Sequence, residues 1–120
     1  MYYTLSGEGQ LLEITVGDGL TKKQILEVWD AIEAHPIYHQ AVAGLVVFGR
    51  DTTWTVSGSD MAELGRTVRR LRPLHWAFVA QDPLSFGMTR MFASHAEGDG
   101  EYQTFDSENS AREWLQGFLS

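Results

Sequence analysis

Residues His75 to Phe92 read HWAFVAQDPLSFGMTRMF, and this stretch decides the fold. Trp76-Ala77-Phe78-Val79-Ala80 is apolar at every position. A strand wet on one face alternates, whereas one covered on both faces, as parallel strands beneath helices are, does not. Asp82 follows, a residue type whose side chain caps the free N–H groups of a helix start. Pro83 suits the first helical position, where no backbone N–H is needed. Leu84, Met88, Met91 and His95 then recur along one helical face, with Phe92 beside them. A buried strand that hands over directly to a helix is the repeating unit of an α/β sheet.

A second run of the same kind, Gly44-Leu45-Val46-Val47-Phe48, precedes it. Tyr2 to Leu5 and Gln10 to Val16 are shorter β-type runs, and Ser6-Gly7-Glu8-Gly9 between them predicts a hairpin. In the second run Leu12, Ile14 and Val16 alternate with Glu13 and Thr15, so one face is buried. Thr21-Lys22-Lys23-Gln24 fits a capping box and starts a helix striped by Ile25, Val28, Trp29 and Ile32. Pro36 ends it. Ser59 or Asp60 is expected to cap a second helix, buried along Met61, Leu64, Val68 and Leu71 and stopped at Arg72-Pro73. Gly65 inside that helix costs about 1 kcal/mol against alanine, which close approach to a neighbour would offset. After the helix begun at Pro83, Gly98-Asp99-Gly100 predicts a turn and Tyr102 to Phe105 a last strand. Ser107 caps a final helix whose Ala111, Trp114, Leu115 and Phe118 face inward. The order β-β-α-β-α-β-α-β-α implies an α/β fold with a mixed, mainly parallel sheet and right-handed crossovers. At 120 residues the chain is expected to form one domain, 1–120.

Composition narrows the function. With 43% apolar residues a real core can form without staples, and there is no cysteine. Thiol catalysis, disulfide exchange and cysteine metal sites are excluded, and a reducing compartment fits. The start, MYYTLSGEG, lacks a basic segment followed by an apolar one, so no secretion signal is expected. Ala41 to Phe48 is the longest apolar run, far short of the ~20 residues that span a bilayer. A cytoplasmic location without an integral membrane segment is the expectation. Net charge is −7, which disfavours nucleic-acid binding, since phosphate needs a basic surface. The one basic cluster, Arg66, Arg69, Arg70 and Arg72, reads either as a solvated helix face or as a docking patch for an acidic partner or anionic lipid.

No motif announces chemistry. Neither GxGxxG nor GxxxxGK[ST] occurs. Pro83-Leu84-Ser85-Phe86-Gly87 approaches a nucleophile elbow but has proline in place of its first glycine. His35 and His39 have the spacing of a helical metal pair, yet Pro36 lies between them and no third ligand is in view. His75 starts a strand and His95 sits at the core edge. Catalytic residues, a metal and a cofactor are therefore not expected. Trp29, Trp76 and Trp114 fall on core elements. Trp54 lies in a polar loop, where an indole either folds back as a lid or faces a partner.

Topology gives the strongest functional argument. In open parallel α/β sheets, ligands and partners meet the carboxyl ends of the strands. The loops there are Gly17-Asp18-Gly19, Gly49 to Ser59, and Gln81-Asp82-Pro83. They bring together Asp51, Thr52, Thr53, Trp54, Ser57, Ser59, Asp82 and Ser85, followed on the helix by Phe86 and Arg90. These are the candidate binding residues, a hydroxyl-rich rim. Arg90 reads as a salt-bridged or solvated side chain, or as an anion clamp beside a helix start.

Three segments and the element order carry a family resemblance over essentially the whole chain. They are Ala77 to Ala80 running into Asp82 to Phe92, Phe105-Asp106-Ser107-Glu108 leading to Ala111 to Leu115, and the Arg50-Asp51 loop before the Ser59-Asp60 helix start. The chain resembles the small bacterial SpoIIAA-like proteins, related to STAS domains. The resemblance implies a STAS fold and a non-enzymatic regulatory or protein-interaction module. In anti-sigma antagonists a kinase partner phosphorylates a serine in the loop that corresponds to Asp51–Ser59. Here Asp51-Thr52-Thr53-Trp54 has tryptophan where that pattern has glycine. The related CRAL-TRIO lipid carriers share the general fold, so an apolar or lipid ligand in a pocket under Trp54 and Phe86 is the alternative. An anionic small ligand at the rim, and pairing of two copies through the hairpin edge, stay open as well.

Overall fold

Alternation at Leu12 to Val16 and the continuous apolar runs after it become neighbouring strands of one five-stranded sheet. A computed structural model of the chain describes residues 3–17, 20–49, 52–67, 75–96 and 101–119. The elements are β1 (Tyr3–Glu8), β2 (Leu11–Val16), α1 (Lys22–Ala34), β3 (Ala43–Phe48), α2 (Gly58–Thr67), β4 (His75–Val79), α3 (Pro83–His95), β5 (Glu101–Phe105) and α4 (Glu108–Gln116). The strand order is β1-β2-β3-β4-β5, with β1 antiparallel to β2 and the other pairs parallel. The mixed, mainly parallel α/β sheet expected from the sequence is the one observed.

The hairpin is tighter than expected. Ser6, Gly7 and Glu8 belong to β1, paired with Glu13, Leu12 and Leu11, and the turn is Gly9-Gln10 alone. Gly9 has φ +60°, the backbone that a two-residue hairpin turn asks of glycine. Gly7 was a turn signal in the sequence but serves packing. A Cβ there would lie 2.7 Å from His35 and Ile37, so β1 passes directly over the segment that follows α1.

Each face of the sheet has its own core. Leu12, Ile14, Val16, Val46, Phe48, Trp76 and Phe78 share one cluster with Val28 and Ile32 of α1, Met61 and Leu64 of α2, and Phe92 of α3. Ala43, Leu45, Ala77 and Val79 form the other with Ala111 and Leu115 of α4. Small residues dominate this second seam, and α4 comes close to β3, β4 and β5. On the first face α1 makes no comparable backbone approach to any element among the described residues. Its large side chains, Ile25, Leu26 and Trp29, hold it away from the sheet. Gly44 explains how Trp76 fits between them. The two are register partners on β3 and β4, and a Cβ at Gly44 would lie 2.4 Å from the indole ring.

Helix starts follow sequence rules with one correction. Thr21 and Gln24 form both halves of the expected capping box. The cap of α2 is Ser57, two residues before Ser59 and three before Asp60. Its Oγ accepts from the Asp60 N–H at 3.1 Å while the Asp60 carboxylate accepts from the Ser57 N–H at 3.2 Å. This reciprocal pair outcompetes the later candidates because it satisfies two N–H groups at once. Gly65 has the close neighbour its position called for, since a Cβ there would meet the Phe92 carbonyl oxygen at 2.6 Å. Val68, Leu71, the Arg69, Arg70 and Arg72 part of the basic cluster, the Arg72-Pro73 stop and the Gly98-Asp99-Gly100 turn lie outside the described residues.

The buried face of α3 differs from expectation. Ser85, Thr89 and Phe92, then Ala96 at its C-cap, are the covered positions. Leu84 is 57% exposed and Met91 40%, and His95 is exposed too. The reason combines the helix start with long-range packing. Asp82 caps and Pro83 opens the helix, which fixes its rotation, and the tight seam with α2 at Gly65 admits small side chains rather than a leucine-methionine ridge. His75 starts β4 as expected, its ring stacked on Phe118 at 3.6 Å.

Candidate functional site

The strand-end loops are tied to one another before any ligand is considered. The Leu20 backbone N–H donates to the Thr53 carbonyl at 2.7 Å, and the Leu20 carbonyl accepts from the Thr55 N–H at 2.9 Å and the Thr55 hydroxyl at 2.8 Å. This short parallel bridge fastens the loop after β2 to the loop after β3. Trp54 then fastens the loop after β3 to α3. Its Nε1–H donates to Ser85 Oγ at 2.7 Å, and its ring packs against Phe48 with centroids 5.3 Å apart. Of the two roles open to Trp54, the folded-back lid is the one adopted.

Asp82 completes the chain of contacts. Its carboxylate accepts from the Ser85 N–H at 2.9 Å. That backbone hydrogen bond, helped by the Ser85 side chain, outweighs partial desolvation and holds the carboxyl below its ordinary value of 3.8. The N-terminus of α3 is thereby occupied by the protein's own anion.

Several proposed rim residues are consequently not at a rim. Ser85 is fully buried and Thr52 is 7% exposed. Arg90 is exposed and lies over the Phe86 ring at 5.9 Å, not at the helix start. The Asp82 carboxylate takes the Ser85 N–H at that helix start. Thr53, Ser57 and Ser59 remain exposed, with Ser57 engaged as the α2 cap. Asp51 lies outside the described residues, as do Asp18, Gly19 and Arg50. His35 closes α1 with its Nδ1 accepting from the Ile37 N–H, and the His39 ring packs edge-on against Tyr38.

Beneath the tied loops is a cavity of about 90 Å³. The floor is sheet, with Ile14, Val16, Val46, Phe48, Trp76 and Phe78. One wall is α1, through Ile25, Val28, Trp29 and Ile32, and Met61, Thr89, Phe92 and Tyr102 close the far side. Leu20 and Trp54 form the part under the loops. It lies where α1 stands off from the sheet. Phe86, expected to cover such a pocket with Trp54, does not line it. Sequence reasoning had the Trp54 half of this site but not Trp29 or Trp76, which read as plain core. Trp29 was signalled by helical periodicity and Trp76 by a continuous apolar run, and neither signal tells a filled core from one with a gap.

No protein-family model and no curated protein matches the chain. Among solved structures it is similar to an uncharacterized protein of the DUF3478 family from Shewanella loihica PV-4, which has a SpoIIAA-like fold. The TM-score is 0.56 at 18% identity, over 94% of this chain and 93% of that one. The fold is SpoIIAA-like. Both its strand order and the resemblance carried by the Asp82 to Phe92 segment agree with that. No helix among the described residues is long and apolar enough to cross a membrane.

Within the SpoIIAA-like fold the Asp82 cap yields a pH-dependent prediction. Its lowered carboxyl pKa means its stabilisation is complete above the unfolded value and is lost as pH falls from about 4 through the folded value. Asp82→Ala should cost about 1 kcal/mol at neutral pH. That difference should shrink as pH drops below 4, and Asp82→Asn, which caps without charge, should remove the pH dependence. Urea midpoints at pH 7 and pH 3 measure it. Equal losses at both would show that the carboxylate charge plays no part.

Proposed function

We propose that this SpoIIAA-like domain is a non-enzymatic binding module that takes a small apolar molecule between α1 and the sheet, under Trp54. The observation that carries the reading is the cavity itself, a space of about 90 Å³ with an apolar lining that includes three of the four tryptophans. Interiors normally pack to near-crystalline density with few voids larger than water, and an apolar space that is left unfilled is suited to an apolar guest. The strand carboxyl ends are also where open α/β sheets bind ligands.

The four indole N–H groups provide the test. Trp29, Trp54 and Trp76 line the cavity, whereas Trp114 packs on the other face against Phe105 and Phe118. Under xenon pressure, the indole N–H resonances of Trp29, Trp54 and Trp76 are expected to shift while that of Trp114 stays in place. Shifts spread equally over all four, or none, would remove the reading.

A second reading, recognition of a protein partner, has one observation in its favour. Leu84 and Met91 lie seven residues apart on α3 and are the large hydrophobic side chains most exposed among the described residues. They adjoin the strand-end loops, because Met91 reaches the start of α2 at Gly58. The exposed hydroxyls of Thr53 and Ser59 belong to the same end of the molecule. A phosphoryl group on Ser59, in the first turn of α2, would sit at a helix start, where added negative charge is favourable.

A further inference from the structure

We propose that the cavity is selective for an uncharged, planar aromatic molecule of one ring, or of two fused rings once Trp54 swings outward. This deepens the ligand-binding reading above and rests on it. Three features of the site lead there.

The first is size. An engineered apolar cavity of about 150 Å³ accepts benzene, and dedicated ligand pockets are commonly 300 Å³ or more. A space of about 90 Å³ is smaller than both, so it takes one ring after some adjustment, and a long acyl chain asks for more volume still.

The second is the absence of any charge partner. None of the described residues lining the cavity is charged. The Thr89 hydroxyl, the polar group on α3 that reaches it, donates back to the Ser85 and Phe86 carbonyls at 3.0 and 3.1 Å. A carboxylate or ammonium brought inside would lose its water without replacement, a penalty far larger than one ring's burial returns.

The third is the lining's ring geometry. Phe78 meets Phe92 edge-on at 84°, Trp29 tilts 56° to Phe92, and Trp54 tilts 38° to Phe48. Rings held at several mutual angles therefore line the cavity, and an aromatic guest is the kind that adds to such a cluster by stacked or T-shaped contacts. A saturated guest uses neither.

Trp54 is the adjustable wall. It is a half-exposed lining side chain carried on a loop, and a single hydrogen bond to Ser85 holds its indole N–H. Entry of a two-ring guest breaks that bond, whose net worth of about 1 kcal/mol is small.

The experiment titrates the full chain with benzene, indole, decanoate and tetramethylammonium, following melting temperature and ligand-observed NMR. Benzene and indole are expected to bind at least tenfold more tightly than decanoate or tetramethylammonium. Val28→Phe, which fills the space from α1, should abolish benzene binding. Trp54→Phe, which trims the lid and removes its bond to Ser85, should keep benzene and strengthen indole several-fold. If Val28→Phe does not fold, Trp54→Phe alone decides, because an unchanged indole affinity would overturn the proposed route. Binding of decanoate or tetramethylammonium at or above the arenes would overturn the ligand class but leave the apolar cavity reading to its xenon test. No binding by either arene, with xenon shifts present, would overturn the class alone, and without them would remove both.

Discussion

Replacing Trp76 with alanine is expected to lower stability by about 3–5 kcal/mol and the Tm by roughly 10–20 °C. The indole is 4% exposed and lies over Gly44, which offers no side chain to fill the space it leaves. The loss therefore combines the transfer term with an unrelaxed cavity that opens into the one already present. The same geometry gives the variant a distinctive signature. Indole added in solution should restore part of the lost Tm, since the deleted group can re-enter the enlarged space. Trp114→Ala should show no such recovery, because its ring packs on the α4 side of the sheet. Thermal denaturation of both variants with and without indole measures this. Equal behaviour of the two would mean the space beside Gly44 collapses on truncation.

Gly65 supplies the second large effect. Alanine is the better helix former by about 1 kcal/mol, so helix propensity alone predicts stabilisation. Packing predicts the reverse. The added Cβ would stand 2.6 Å from the Phe92 carbonyl oxygen and 2.8 Å from His95 Cβ, atoms that move only if α2 and α3 separate. Overpacking of this kind costs about 1–3 kcal/mol; with a backbone oxygen at 2.6 Å the upper end applies, and after the propensity gain Gly65→Ala is expected to be destabilising by about 1–2 kcal/mol. Gly87, on the exposed side of α3 with nothing within 4 Å, is the control. Gly87→Ala should stabilise by about 0.5–1 kcal/mol. Opposite signs in urea unfolding are the expected result, and a neutral Gly65→Ala would contradict the helix–helix seam.

The fold was legible because its decisive signals are local. Two continuous apolar runs announce doubly covered strands, and Asp82-Pro83 announces a helix start whatever surrounds it. The face of α3 was not legible, for a reason visible at Ser85 and Thr89. Hydrophobic periodicity ranks Leu84, Met88 and Met91 above them, yet packing against α2 selects small side chains, and the Trp54 indole selects a hydroxyl to meet it. Burial of a polar residue depends on a partner dozens of positions away, which spacing within one helix does not reveal. The candidate site divides the same way. Trp54 stood out as an indole among polar residues, whereas Thr52 and Ser85 looked available and are buried. The cavity had no sequence signature, since it arises from the distance α1 keeps from the sheet and not from any residue type.

The strictly sequential strand order has a consequence for how the molecule assembles. Every strand pairs with the next one made, beginning with a hairpin closed by two residues. After the hairpin, each parallel pairing joins residues 26 to 32 positions apart, as Leu11 with Ala43 and His75 with Glu101 do, so a loop containing one helix must close before each new strand docks. Only one face matures along the way, because α1, α2 and α3 cover it as they appear. The opposite face, with Ala43, Leu45, Ala77 and Val79, waits for α4. Until that last helix docks, a nascent or truncated chain presents a flat apolar sheet surface, the kind of surface that recruits chaperones or aggregates. Docking of α4 is thus the step that closes this face of the sheet.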